Sequence, residues 1–435
     1  MLKKLLLSAY FLCCFAIADA QWIELGTGAY ALPVYEIITA ICADTSGNIY
    51  ATGEFSQVYK WNGSLWEQLG SGFNNYVFTI TAGDSNNIYA GGLFTDGNSK
   101  QYIAKWSAKS GSWIELGTGS NGLNANDNIF CIYADGSDNI YVAGKFTNTS
   151  SQQYVAKWDG TTWTQLGSGF NNWISSICSD NLGNIYVGGQ FTDVNSKTYI
   201  AQWSGSNWIE LGAQSNLITQ GITSICSDSN GNIYAAGRDA NSKANIAQWN
   251  GSNWNQLGNG NSALNANGYI SSICSDTSGN IYAAGNFTDA NAKQYVAKWN
   301  GSSWSGLGNL NANNYINSIC LDTSGYVYAA GTFQDNEGRD YVAKYQQNTA
   351  TTGVLYNTNN TQLTIYPNPT NSIINLTAPE AGQATVYNLL GEAVVTQNVV
   401  KGNNLISFEK ASNGVYTLVL TAQNGNYAPV KIIKD

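Results

Sequence analysis

Residues Tyr295-Val296-Ala297-Lys298-Trp299-Asn300-Gly301-Ser302-Ser303-Trp304-Ser305-Gly306-Leu307-Gly308 read as two short strands joined by a tight turn. Asn-Gly is the strongest short hairpin signal, because both residues tolerate the positive φ that a tight connection needs. Valine, tyrosine and tryptophan on either side suit a pleated, half-buried surface. The second strand, Trp-x-x-Leu-Gly, also begins at Trp22, Trp66, Trp113, Trp163, Trp208 and Trp254, so that seven copies follow one another at spacings of 44 to 50 residues. The chain is built from a repeat.

Working outward from that hairpin, each period holds an Ile-x-x-Ile run, an Asn-Ile-Tyr segment (Asn48, Asn87, Asn139, Asn184, Asn232, Asn280, with Tyr326-Val327-Tyr328 as the seventh) and a Tyr-Val-Ala-Lys-Trp relative. The last of these ends at Trp61, Trp106, Trp158, Trp203, Trp249, Trp299 and Tyr345. Four strand-like segments per period predict an all-β, seven-bladed β-propeller with four-stranded blades. The chain starts with a lone Trp22-Ile23-Glu24-Leu25-Gly26 and its last repeat stops at Tyr341-Val342-Ala343-Lys344-Tyr345. The N-terminal strand is therefore expected to supply the outer strand of the seventh blade. Asp-x-x-Gly-Asn, as in Asp180 to Asn184, joins the first and second strands of a period. It lacks the alternating carboxylates and closing Glu of an EF-hand, so it reads as turn chemistry and no metal is expected.

A Gly after the Tyr-Ala strand, a Tyr some residues on and two tryptophans flanking a hairpin resemble the kelch repeat of galactose-oxidase-like propellers. The paired glycines of that family stand at Gly91-Gly92 and Gly188-Gly189. Copper-radical chemistry in galactose oxidase uses histidine, and this chain of 435 residues has none. The same absence excludes Ser-His-Asp and Cys-His nucleophiles, imidazole bases and His-ligated metals, and no cofactor is expected. With 19 Lys+Arg against 28 Asp+Glu, nothing resembles a nucleic-acid footprint or a polybasic membrane anchor.

Residues 1–20 have the order of a secretory signal peptide: Lys3 and Lys4, an apolar run from Leu5 to Ile17, then Ala18-Asp19-Ala20. The run is shorter than the roughly 18 residues a membrane span needs, and no later stretch could span. Removing it takes Cys13 and Cys14 and leaves six cysteines. Cys42, Cys178, Cys226, Cys274 and Cys320 each stand two residues before the turn Asp, and Cys131 two residues earlier in its own repeat. Equivalent positions in facing blades lie about 10 Å apart, too far for a disulfide, so buried free thiols are expected.

The propeller is expected over 21–346, an Asn/Thr-rich linker over 347–361 and a small β-sandwich over 362–435. That last block contains, in order, Tyr366-Pro367-Asn368-Pro369, Gly391, Gly414 with Tyr416, and Lys431 with Lys434. It resembles the C-terminal sorting domain of Bacteroidota type IX (Por) secretion substrates. The resemblance implies Sec export to the periplasm, engagement of the type IX machinery, and release or attachment at the cell surface.

The propeller's variable loops, such as Gly117 to Asn128, lie at the end opposite the Asp-x-x-Gly-Asn turns. The loops following Phe94, Phe146, Phe191, Phe287 and Phe333 lie at the same end and repeat Asp-x-Asn-x-Lys at Asp96, Asp193, Asp239 and Asp289, which reads as solvated loop structure. At the start of the innermost strand on that end, one repeat position holds Tyr76, Trp173, Tyr269 and Tyr315. These are strand-end aromatics packed between blades, or a partial ring of platforms for sugar faces on a low-charge surface. Two function classes follow: a monomeric, non-catalytic binding or adhesion propeller, with a polysaccharide or surface glycan as ligand, or a carbohydrate-active enzyme using two carboxylates. For the second, Glu36, Glu54 and Glu337 are the glutamates near the variable end, and no blade-specific pair stands out.

Overall fold

The computed structural model describes residues 21–83, 86–212, 217–259, 262–289, 291–310, 312–346, 363–388, 393–422, 425–426 and 430–434. The leader at 1–20, the linker at 347–361 and Gly391 of the sorting block lie outside them. The chain divides into two compact units, one over 18–348 and one containing 349–435.

The first unit is a ring of seven four-stranded antiparallel sheets, or blades. Their innermost strands, in blades one to seven, are Ile38–Ala43, Val77–Ala82, Ile129–Ala134, Ile174–Ser179, Ile222–Ser227, Ile270–Ser275 and Ile316–Leu321. In blade seven the outer strand is Gln21–Glu24, which pairs antiparallel with Asp340–Gln346 in the register Trp22↔Tyr345 and Ile23↔Lys344. The start of the chain thus completes the last blade.

Each element of the repeat has a physical task at the blade boundary. Every Trp of Trp-x-x-Leu-Gly donates its indole N–H to the Leu carbonyl of the preceding copy: Trp66 to Leu25, Trp113 to Leu69, Trp163 to Leu116, Trp208 to Leu166, Trp254 to Leu211 and Trp304 to Leu257. Trp22 returns to Leu307 at 2.6 Å, which closes the chain of bonds into a circle. The Gly that follows takes a positive φ and lets the next blade's indole approach; at Gly212 a Cβ would stand 2.4 Å from Trp249. Buried indoles satisfied in this way contribute apolar area without an unpaired N–H.

At the constant end the turn Asp is a hub. Asp276 accepts the backbone N–H of Ser278 and Asn280 on one oxygen and the Asn280 amide and Tyr282 hydroxyl on the other. Asp44, Asp180 and Asp228 repeat the pattern. The six cysteines of the propeller are free thiols, each raised in pKa by burial.

The second unit packs two sheets. One holds Thr364–Tyr366, Ile373–Ala378 and Gly402–Ser407; the other is built on Gly382–Tyr387 and Gly414–Ala422, with Ala393–Val399 and Val430–Lys434 at its sides. Ile374, Leu376, Val386, Ile406, Leu418 and Ile432 form its core. No helix among the described residues is long and apolar enough to cross a membrane.

Candidate functional site: the mouth of the propeller channel

Each innermost strand carries a β-bulge at its second residue: Thr39, Phe78, Phe130, Ser175, Thr223, Ser271 and Asn317. A bulge takes a residue out of the ladder and re-aims it. Here the freed side chain turns to the next blade. Ser175 donates to Ile222 O at 2.6 Å, Thr223 to Ile270 O at 2.7 Å, Ser271 to Ile316 O at 2.6 Å, Asn317 to Ile38 O at 3.0 Å and Thr39 to Phe78 O at 3.1 Å. In blades two and three the same position is aromatic, and the Phe78 and Phe130 rings stand 6.3 Å apart. The ring is therefore polar over most of its circumference and apolar over one arc.

Tyr76, Trp173, Tyr269 and Tyr315 immediately precede these strands, at the variable end. A Gly at the end of the second strand lets their carbonyls come close: a Cβ on Gly189 would stand 2.2 Å from the Trp173 oxygen. Tyr76, Tyr315 and Trp173 are 42%, 42% and 37% exposed, high for such large side chains, while Tyr269 is half-buried. The structure does not gather all four. Tyr76 joins the aromatic arc through Phe78 at 6.2 Å, and Lys145 bridges onward, 5.5 Å over Phe130 and 4.7 Å over Trp173. Across the ring Tyr269 and Tyr315 meet edge to face at 6.0 Å, with Arg238 5.9 Å over Tyr269.

The mouth is thus not the low-charge face expected from composition. Lys145 and Arg238 follow the glycine of the second strand, where other blades carry Glu54, Leu93, Gln190, Asn286 and Thr332, and each leans on the aromatic of the following blade. Such cation–π contacts hold the ring plane and leave the ammonium or guanidinium free to meet an anion. The residues that sequence reasoning missed are Phe78, Phe130, Lys145 and Arg238. Their signal was an outlier at one register position, readable only once the bulge had given that position a meaning.

Several carboxylates at this end hold local structure. Glu337 pairs with Arg339 at 3.1 Å, and Glu36 accepts the Tyr35 N–H at 3.2 Å. Asp96, Asp193, Asp239 and Asp289 each accept two backbone N–H groups of their own turns. In the sorting block, Asn368 donates to Lys431 O and accepts from Ile433 N, which fastens the Pro-Asn-Pro turn to the terminal strand. Tyr366 and the Tyr366-Pro367 and Asn368-Pro369 bonds, both cis, lie in the same segment. Lys434 caps Ala411 O, and Tyr416 donates to Ser412 O.

Residues 364–435 match the family described as secretion system C-terminal sorting domain. No curated protein matches the chain. Among solved structures, the WD40 β-propeller domain of Doa1 aligns at a TM-score of 0.52 and 12% identity, over 75% of this chain and 98% of that one. YCF48 bound to a D1 peptide aligns at 0.52 and 12%, over 76% and 97%. These likenesses establish a β-propeller, and the sorting domain marks the protein for type IX secretion to the cell surface or beyond.

Proposed function

We propose that this propeller is a secreted, non-catalytic binding module of the kelch-like type, which recognises a polysaccharide or surface glycan at the variable mouth of its channel. Export begins with the leader at 1–20 and the Sec route. The observation that carries the reading is the pair of aromatic arcs at the mouth, Tyr76-Phe78-Phe130-Trp173 and Tyr269-Tyr315, each held by a cation from the neighbouring blade. Exposed aromatic faces stack on the C–H faces of sugar rings, and an asparagine directly precedes three of them, at Asn75, Asn172 and Asn314, as a source of amides for sugar hydroxyls.

The test is a glycan array with the mature propeller, followed by calorimetry on any hit. Stacking contributes roughly 0.5 to 1.5 kcal/mol beyond burial, so Trp173→Ala should weaken binding about tenfold with little change in Tm. An array with no binder, or a Trp173→Ala protein that melts as low as Trp22→Ala, would remove the reading.

A further inference from the structure

Six of the seven blades plug the variable side of the ring with an aromatic pair. Phe94, Phe146, Phe191, Phe287 and Phe333 are fully buried, and each takes a tyrosine edge-on at 4.7 to 5.0 Å: Tyr102, Tyr154, Tyr199, Tyr295 and Tyr341. Blade one keeps a shorter version in Phe55 and Tyr59. In blade five the corresponding stretch reads Gly237-Arg238-Asp239 where blade six has Gly285-Asn286-Phe287-Thr288-Asp289, and Asn245 stands at the tyrosine position. Two residues and both aromatics are missing.

That deletion changes the path of the chain. In blade six the second and third strands part after Ala283↔Ala297, and the loop leans across so that Gln294 N donates to Ala312 O of the next connection at 3.2 Å. In blade two Gln101 and Ala125 do the same. In blade five the two strands stay paired through Gly237↔Asn245 to Arg238↔Ala244, a straight hairpin. Ala244, the counterpart of Gln294, is used up in that pairing. The space where a regular loop would lean over is left as a cavity of about 670 Å³ between this hairpin and the connection to blade six, within the roughly 300 to 1,000 Å³ typical of small-molecule sites.

Its walls are chemically specific. Leu264 and Trp304 give apolar surface, Gln256 and Asn259 give amides, and Arg238 and Lys243 give positive charge. Among the described residues the ion pairs are those of Arg339, so neither cavity cation has a carboxylate in contact. Asp239, also in the wall, accepts the Asn241 and Lys243 backbone N–H groups of its own turn. We infer that this blade-five cavity binds the carboxylate-bearing sugar unit of an acidic glycan, a uronic acid, with Arg238 and Lys243 on the carboxylate and the amides on the hydroxyls. Guanidinium favours planar carboxylate recognition. The cavity shares Arg238 with the mouth, where the same guanidinium lies 5.9 Å over Tyr269; Trp173, which is not in this wall, tells the two readings apart.

The probe is sodium glucuronate, titrated calorimetrically into the mature propeller at low salt, with glucose and sodium acetate as comparisons. Saturable binding of glucuronate, at least tenfold tighter than either comparison, is expected. Arg238→Gln with Lys243→Gln should weaken it at least tenfold while Tm is unchanged, and Ala266→Trp, which puts bulk in the cavity, should abolish it. Trp173→Ala should leave it intact. Absence of glucuronate binding, binding indifferent to the cavity variants, or binding lost in Trp173→Ala as fully as in the cavity variants would overturn the assignment.

Discussion

Gln101, Gln153 and Gln294 occupy one register position, and each has a buried side-chain carbonyl oxygen with no partner among the described residues. Blade seven places Asp340 there, 2% exposed, with one oxygen equally unpartnered. Burial pushes its carboxyl up to about 6, aided by nearby Glu36 and opposed by a hydrogen bond to Gln334. A carboxyl whose folded pKa lies above its unfolded value stabilises the fold fully below the unfolded pKa, near 4, and that contribution is lost as pH rises through about 6. Asp340→Asn should therefore raise stability at pH 8 by up to about 3 kcal/mol and leave it nearly unchanged at pH 4; equal melting shifts at both pH values would contradict this. The turn carboxyls behave oppositely. Burial alone would raise Asp276, but bonds from Asn280, Tyr282 and Ser278 outweigh it and hold it below the usual range. Asp276→Ala should thus cost stability at neutral pH, and that cost should shrink as pH falls below about 4. The buried cysteines resist ionisation, so the folded protein should react slowly with thiol reagents, and the denatured, unreduced mature protein should titrate close to six thiols; two or fewer would mean that disulfides form.

Strands in this ring are defined as much by the neighbouring blade as by their own sheet. The Trp-x-x-Leu-Gly strand was legible because its period and turn chemistry are local, and so was the phase that sends Gln21–Glu24 to blade seven. The partner of each indole was not legible, since a hydrogen bond from Trp22 to Leu307 joins residues 285 positions apart. Nor could residue type alone foretell the bulges, or that Phe78 and Phe130 would meet across the blade boundary. The missing Phe of blade five is visible in the sequence, yet its consequence depends on strand pairing that continues where other blades open. Trp22 is 7% exposed, and replacing it by Ala removes a large buried side chain together with the bond that closes the circle. The expected cost is about 3 to 5 kcal/mol. Deleting Trp22 to Gly26 should lower Tm at least as far, and an unchanged melting curve would mean that another segment fills the outer position.

Over the whole molecule, the chain divides into two compact units, the propeller and the unit that contains the sorting domain. Removing Leu363 to Asp435 should leave a folded propeller that accumulates in the periplasm, and mass spectrometry of the exported native protein should place its C-terminus within 347–361. Normal export of the truncated chain would contradict the role of the tail. The mouth and the blade-five cavity exist only if one chain closes on itself into a ring. Ile23 and Lys344 are direct antiparallel partners, and such pairs hold their Cα atoms about 4.5 to 5.5 Å apart, within reach of a disulfide. The most direct measurement is therefore oxidation of the Ile23→Cys/Lys344→Cys double variant, followed by proteolysis and mass spectrometry. A closed ring yields an intrachain link between positions 23 and 344 in a monomeric, natively melting protein. Recovery of unlinked peptides, or of links between chains, would contradict closure by the N-terminal strand.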